Sequence, residues 1–124
     1  MMKEEAPQDL RHRLREFALR MISMYRSLPK STEAQVLGKQ VLRSGTSVGA
    51  NHREAVRGRS DAEFIAKLGD CLKELDETDY WLDLLVASGI VPEPKMAALL
   101  DETNQLIAIL TTIVKKTKAR TKKP

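Results

Sequence analysis

The chain has 124 residues, with 21 bases, 17 acids, two histidines and one cysteine. That is the size of one domain; a lone cysteine excludes an internal disulfide and fits a reducing compartment; and the 4% aromatic content leaves a core to Leu, Ile, Val, Ala and Met. No apolar leader opens the chain, and no unbroken apolar run approaches the ~18 residues of a membrane span, so a cytoplasmic protein without a membrane partner is expected.

The first element is predicted from near Asp9 to about Leu28, because Leu14, Phe17, Met21, Met24 and Leu28 recur at three-and-four spacing and Leu10 extends that face backwards. Pro29 ends it, since the residue before a proline avoids the α region. The second begins after Lys30-Ser31-Thr32, where Thr32 and Gln35 have capping-box spacing. Its seam is Ala34, Leu37, Val41, Ser44, Val48, Asn51 and Ala55, with Gly58 placed to follow its last turn. Ser60 and Glu63 form a second capping box, opening a third helix whose seam is Phe64, Leu68, Cys71, Leu75, Thr78, Leu82 and Leu85. Ser88-Gly89 closes it. The fourth starts around Pro92-Glu93-Pro94, where proline suits a first turn, and continues through Met96, Leu99, Thr103, Leu106, Leu110 and Ile113. No strand-like alternation appears. Long amphipathic helices on short loops give an all-α fold, an antiparallel up-down-up-down four-helix bundle over residues 1–114, followed by a basic, frayed tail over 115–124.

The stretch LRSGTSVGANHREAVRGRS, Leu42 to Ser60, looks at first like a phosphate-binding loop. A P-loop needs a preceding apolar strand and a Lys-Ser or Lys-Thr after its last glycine, and neither is present. Gly45 and Gly49 instead lie one turn apart on the second helix, with Gly38 seven residues before Gly45. Each mid-helix glycine costs about 0.5–1 kcal/mol relative to alanine. Close approach of another helix, from this chain or a neighbouring one, would offset that cost. Ser44 and Asn51 are polar positions on the apolar seam, and buried polar groups need partners. In a hairpin about Gly58–Ser60, Ser44 falls opposite Glu74, Asn51 near Lys67 or Leu68, and Glu54 near Phe64. Trp81 falls just off the seam of the third helix, at the bundle edge where its N–H can stay wet or at an oligomer interface.

The charge is unevenly divided. The final ten residues carry six bases and no acid; without them 15 bases face 17 acids. Bases lead by three on each of the first two helices and acids by six on the third. A bundle with one basic and one acidic side invites head-to-tail association, which closes into a ring when the rotation permits. The bases near the end of the second helix and in the tail fit sequence-independent contact with phosphate backbones. Arg43, Arg53, Arg57, Arg59, Lys115, Lys116, Lys118, Arg120, Lys122 and Lys123 are the candidates for that contact. Gly45, Gly49, Ser44, Asn51, Glu54, Glu74, Glu77 and Trp81 are candidates for structure and assembly.

Signals for catalysis are absent. His12 and His52 belong to no Glu-x-x-His pair, so the di-iron bundle pattern is missing. One cysteine makes no thiolate cluster, and Cys71 reads as a small core residue. His52 reads as a surface residue. No metal, cofactor or catalytic residue is predicted.

The runs L-R-S-G-T-S-V-G-A-N-H-R-E-A (Leu42–Ala55), S-D-A-E-F-I-A-K-L (Ser60–Leu68) and K-E-L-D-E-T-D-Y-W-L (Lys73–Leu82) resemble the family of small bacterial bundle proteins called S23 ribosomal or intervening-sequence proteins, some of which are encoded within 23S ribosomal RNA genes. Arg43, Ser44, Gly45, Ser47, Asn51, Glu54, Ser60, Phe64, Glu74, Glu77 and Trp81 carry the likeness. The resemblance implies a four-helix bundle and a ring-shaped homopentamer. It also implies kinship in fold with the accessory proteins of diversity-generating retroelements, basic pentamers that bind a reverse transcriptase and nucleic acid. It implies no settled molecular activity. The expected function is a non-enzymatic oligomeric scaffold that binds RNA or DNA electrostatically; the alternative is a protein–protein adaptor, for example to a reverse transcriptase or another nucleic-acid enzyme.

Overall fold

The computed structural model describes residues 7–122, which form four helices and, among the described residues, no strand: α1 (Pro7–Ser27), α2 (Thr32–Val56), α3 (Asp61–Ala87) and α4 (Glu93–Thr121). Asp9 sits in the first turn of α1, where the exposed N–H groups favour an anion. Ser31 rather than Thr32 caps α2, its hydroxyl accepting from the Ala34 N–H at 3.4 Å. The expected box was one residue late because Gln35 is occupied elsewhere. The Tyr25 hydroxyl donates to Gln35 Oε1 and Gln35 Nε2 donates to the Pro29 carbonyl, both at 2.8 Å, which fastens the end of α1 to the start of α2. The cap of α3 forms as expected: Ser60 Oγ accepts from the Glu63 N–H at 3.1 Å, and Glu63 Oε2 accepts from the Arg59 N–H at 2.7 Å. Gly89 takes φ +80° after α3, a conformation that costs a Cβ-bearing residue free energy, and the Val91 N–H closes the turn onto the Leu85 carbonyl.

Contacts between helices fix their directions. Along α2 from Gly38 to Gly49, the neighbours run backwards from Leu28, just past the end of α1, and Tyr25 through Met21 to Leu14 on α1. On α3, Arg43, Val48 and Glu54 meet Glu77, Cys71 and Lys67 in falling order. Each of these two pairs is therefore antiparallel. Asp61 at the start of α3 meets Arg120 near the end of α4 at 3.1 Å, while a short turn joins their other ends. Leu14, Phe17, Met21, Val41, Val48, Leu68, Leu75, Leu82, Leu106 and Leu110 are fully buried between the four helices.

The glycines face α1 of the same chain. A Cβ on Gly45 would lie 2.5 Å from Met21 Cγ, shorter than real Cβ contacts, and a tight 3.3 Å from Met21 Cβ. Side chains of Leu28 and Tyr25 fill the place a Cβ would take on Gly38. At Gly49 the nearest α1 atoms stand 3.8 Å away, room enough for a methyl group.

Three expectations about α2 and α3 are corrected. Ser44 meets Thr78, not Glu74: the two hydroxyls lie 2.8 Å apart and are fully buried, and Thr78 also donates to the Glu74 carbonyl. A neutral hydroxyl satisfies Ser44 without desolvating a carboxylate, so Glu74 turns outward to Arg43. His52, read as a surface residue, is 4% exposed, whereas Asn51 is only half-buried. Positions 38, 45 and 52 form a heptad line on the α1 side, and the inward-facing position at the far end of that line is 52. Trp81 is half-buried with its Nε1 enclosed and unpartnered among the described residues, because the indole lies against the core rather than outward at the edge. Its ring stands 5.1 Å from that of Tyr80 at a 59° tilt.

The break placed after residue 114 is not where the helix ends. α4 continues to Thr121, Thr117 is buried, and its hydroxyl donates to the Ile113 carbonyl at 2.8 Å. The bases of this stretch suit a helix C-terminus, where the unpaired carbonyls favour cations. Lys123 lies outside the described residues. By length and composition alone α4 could cross a bilayer; here its Met96, Leu99, Leu106 and Leu110 face the bundle core.

Candidate nucleic-acid interface

The topology gathers the start of α1, the end of α2, the start of α3 and the end of α4 at one pole of the bundle. The bases are concentrated there: Arg11 and Arg15 on α1, Arg53, Arg57 and Arg59 at the α2–α3 corner, and Lys115, Lys116, Lys118, Arg120 and Lys122 on the last turns of α4. The opposite pole is mixed: Asp79 and Asp83 on α3 with Glu93 and Asp101 on α4 lie there together with Arg26, Lys30, Lys39 and Lys95. At Asp79, half-buried, desolvation and the neighbouring charges of Asp83 and Asp76 raise the carboxyl's pKa above its ordinary range. The excess of bases is thus concentrated at one pole, while the other is mixed.

Three of the acids near the basic pole are engaged locally. Glu54 bonds Lys67 at 2.9 Å, Asp61 bonds Arg120, and Glu63 Oε2 accepts from the Arg59 N–H. Further along, Arg13 holds Glu102 with two bonds, 2.8 and 2.7 Å, and reaches Gln105 at 2.8 Å, tying α1 to α4. Such fork-shaped pairs add geometry as well as charge.

Arg43 is set apart from the other basic candidates. Its guanidinium meets Glu77 at 2.6 Å and Glu74 at 3.2 Å, and these contacts raise an already high pKa. It lies in mid-helix and cross-links α2 to α3, as its membership of the Glu74–Glu77 cluster requires. Spacing alone did not assign it this role over phosphate contact.

A cleft of about 700 Å³ opens at the basic pole. Leu10, Ala55, Val56, Phe64 and Ile113 supply apolar walls, and Arg59, Ser60, Asp61 and Arg120 form the polar rim. His52 lines it as well; its Nδ1 is enclosed and has no hydrogen-bond partner among the described residues. Burial and the nearby charges of Arg11 and Arg53 lower its pKa from 6.5, favouring the neutral ring. Sequence reasoning missed this cleft. The signal available was the heptad line from Gly38 through Gly45, which His52 continues. Among the described residues no group of three His, Cys, Asp or Glu side chains could hold a metal ion.

The family model described as 23S rRNA-intervening sequence protein matches residues 8–112. The chain belongs to that family. A solved structure of a protein with unknown function from the S23 ribosomal protein family of Bacteroides thetaiotaomicron is similar over 88% of this chain and 97% of that one, at 37% identity and a TM-score of 0.82. No curated protein matches. The family match stops at residue 112, so the basic last turns of α4 lie beyond what the family model describes.

Proposed function

We propose that this family member is a non-enzymatic cytoplasmic scaffold that assembles into a ring, of five copies by its likeness to the family, and binds RNA or DNA phosphates through the basic pole. The observation that carries the reading is the concentration of Arg53, Arg57, Arg59 and the bases of the last α4 turns at one end, while Asp79 and Asp83 on α3 lie toward the other. Acid on α3 would weaken phosphate binding if it were spread over the same face. Here Glu74 and Glu77 bond Arg43 and Glu54 bonds Lys67, which removes part of that repulsion.

Phosphate contact of this kind releases counterions, so log affinity falls linearly with log salt, by about 0.7 per neutralised phosphate for single strands and 0.9 for duplex DNA. Changing Arg53, Arg57 and Arg59 together to Gln is expected to reduce the magnitude of the salt slope for a single-stranded RNA by about 2. An unchanged slope would remove the α2–α3 corner from the interface, and no binding at low salt would remove the reading. A solution mass tests the ring separately: only monomer at micromolar concentration contradicts it.

A second reading as a protein adaptor is favoured by one feature, the acidic α3 face formed by Asp76 and Asp83 beside the exposed ring of Tyr80. Capture of a partner that survives nuclease and fails in an Asp76→Asn, Asp83→Asn variant would support it.

A further inference from the structure

The outward faces of the two hairpins, α1–α2 and α3–α4, lie on opposite sides of the bundle and differ in charge. Contacts inside the bundle show which flank of each helix is left over. On α3, Lys67, Glu74 and Glu77 are taken up by α2. The other flank carries the heptad line Ile65, Leu72, Asp79 and Val86, all half-buried, with Asp76 and Asp83 beside it and Lys73 as the one base near them. On α4, Glu102 turns to α1, and half-buried Leu100 and Ile107 border the α3 side. On α1, Arg13 turns to α4 while Met21 and Tyr25 pack on α2. Past them lie Leu19, 43% exposed, half-buried Ile22 and exposed Arg26, to which α2 adds Lys39, Leu42 and Thr46. One side is therefore an apolar strip edged by acids and the other an apolar strip edged by bases. Among the described residues Asp79, Asp83, Arg26 and Lys39 form no ion pair within the chain.

The heights of these groups also match. Ser44 bonds Thr78 and Gly45 abuts Met21, so positions 44, 78 and 21 on α2, α3 and α1 stand at one level. Asp79 is thus level with Ile22 and Leu42. One turn toward the pole away from the cleft, Asp83 is level with Arg26 and Lys39. We infer that the α3–α4 face of one copy docks on the α1–α2 face of the next at equal height, with Asp79 and Asp83 against Arg26 and Lys39 and the two apolar strips closed between them. The inference rests on the ring proposed above and names its contact. Two unlike faces make the contact heterologous, so each copy keeps one of each to offer until the chain of copies closes. Equal height leaves no rise from copy to copy, which is the condition for a ring and not a helical filament. Burial of the strips supplies attraction, and the charges select the partner face. At Asp79, desolvation and the charges of Asp83 and Asp76 already disfavour the carboxylate, and cations from the neighbouring copy relieve that repulsion.

The test uses the full-length protein and reads mass by sedimentation over a range of concentrations, with helical circular dichroism to check the fold. Two double variants, Asp79→Lys with Asp83→Lys and Arg26→Glu with Lys39→Glu, each set like charges against one another across the contact. Each should raise the concentration of half-assembly by at least about tenfold. All four changes in one chain exchange the signs and should restore the native mass. A carbodiimide, which joins a carboxylate to a lysine amine with loss of water, should link Lys39 of one native chain to Asp79 or Asp83 of another. Peptides of mixed label from an equal mixture of isotope-labelled and unlabelled protein identify that link as one between chains. An assembly whose mass neither double variant changes, or one that the four changes together fail to restore, overturns the inference and leaves the ring standing on some other contact. In that case the acidic α3 face is open to a different protein. A native mass that climbs without limit as concentration rises overturns the equal-height register. A native protein that is only monomer removes the ring itself.

Discussion

Alanine substitution at three helical glycines separates local helix preference from tertiary packing. In an open helix position Gly→Ala gains about 0.5–1 kcal/mol. Gly69 on α3 is such a position, with no heavy atom within 4 Å of a new Cβ, and at Gly49 the nearest neighbour stands at an ordinary 3.8 Å. Both alanine variants should therefore be more stable by up to about 1 kcal/mol. At Gly45 the same methyl group would sit 2.5 Å from Met21 Cγ, 3.1 Å from its Sδ and 3.3 Å from its Cβ. Met21 is fully buried, so it cannot swing into solvent, and its Cγ and Cβ are not the free end of the chain. Overpacking of this kind costs about 1–3 kcal/mol. Subtracting the helix gain leaves Gly45→Ala less stable by about 1 kcal/mol. Urea unfolding followed by helical circular dichroism, at one fixed protein concentration because assembly adds to apparent stability, reads the difference as midpoint shifts of about 0.5 M in opposite directions for an m-value near 2 kcal/mol/M. If Gly45→Ala stabilises as much as Gly69→Ala does, the claim that α1 packs on a bare face of α2 is wrong.

The remaining predictions concern the interior. A double-mutant cycle on Ser44→Ala and Thr78→Val should return a coupling of about 1 kcal/mol for their buried hydroxyl contact; additive effects would contradict it. His52 has its pKa lowered from 6.5 chiefly by burial, so the unfolded chain takes up its proton first. Stability contributed by the neutral ring is present above about pH 6.5 and declines as pH falls below it. Urea midpoints across this range should show that decline in the native sequence and a flatter profile in His52→Leu. Cys71 is fully buried, its thiol donates to the Val48 carbonyl at 3.5 Å, and burial pushes its pKa up to about 12. A thiol reagent should label it only through unfolding, with a rate that follows the urea curve; rapid labelling in native buffer would contradict its placement.

The apolar seams were legible because each helix repeats its pattern over many turns, so that Leu14 through Leu28 on α1 or Leu68 through Leu85 on α3 leaves little choice of face. The Ser60–Glu63 cap was legible because its bonds are local. What failed depended on angles between helices. The pairing of Ser44 shifted from Glu74 to Thr78 because the register of a hairpin cannot be set to within one turn from its loop. His52 exchanged places with Asn51 because α2 is covered on two sides, by α1 as well as α3, which widens its buried stripe beyond one seam. The end of the basic segment was misread because composition gave it as a solvated tail. Thr117 at seven residues from Leu110, and Arg120 clasped to Asp61, instead hold it as helix. The candidate residues at the α2–α3 corner and on late α4 were proposed from charge alone; the cleft between them was not legible, because its walls come from four separate elements.

The pole-to-pole charge difference has a consequence for symmetry. Rotation about an axis running along the bundles carries every subunit's basic end to the same level. A closed ring of upright bundles would therefore be a disc with two unlike faces, and each added subunit would strengthen the potential on one face without cancelling it. A flexible polyanion laid across that face would meet several copies of the same corner at once, so that modest contacts at each would act together, while a second disc approaching face to face would be repelled. Such an object is directional: it can present what it holds to one side only.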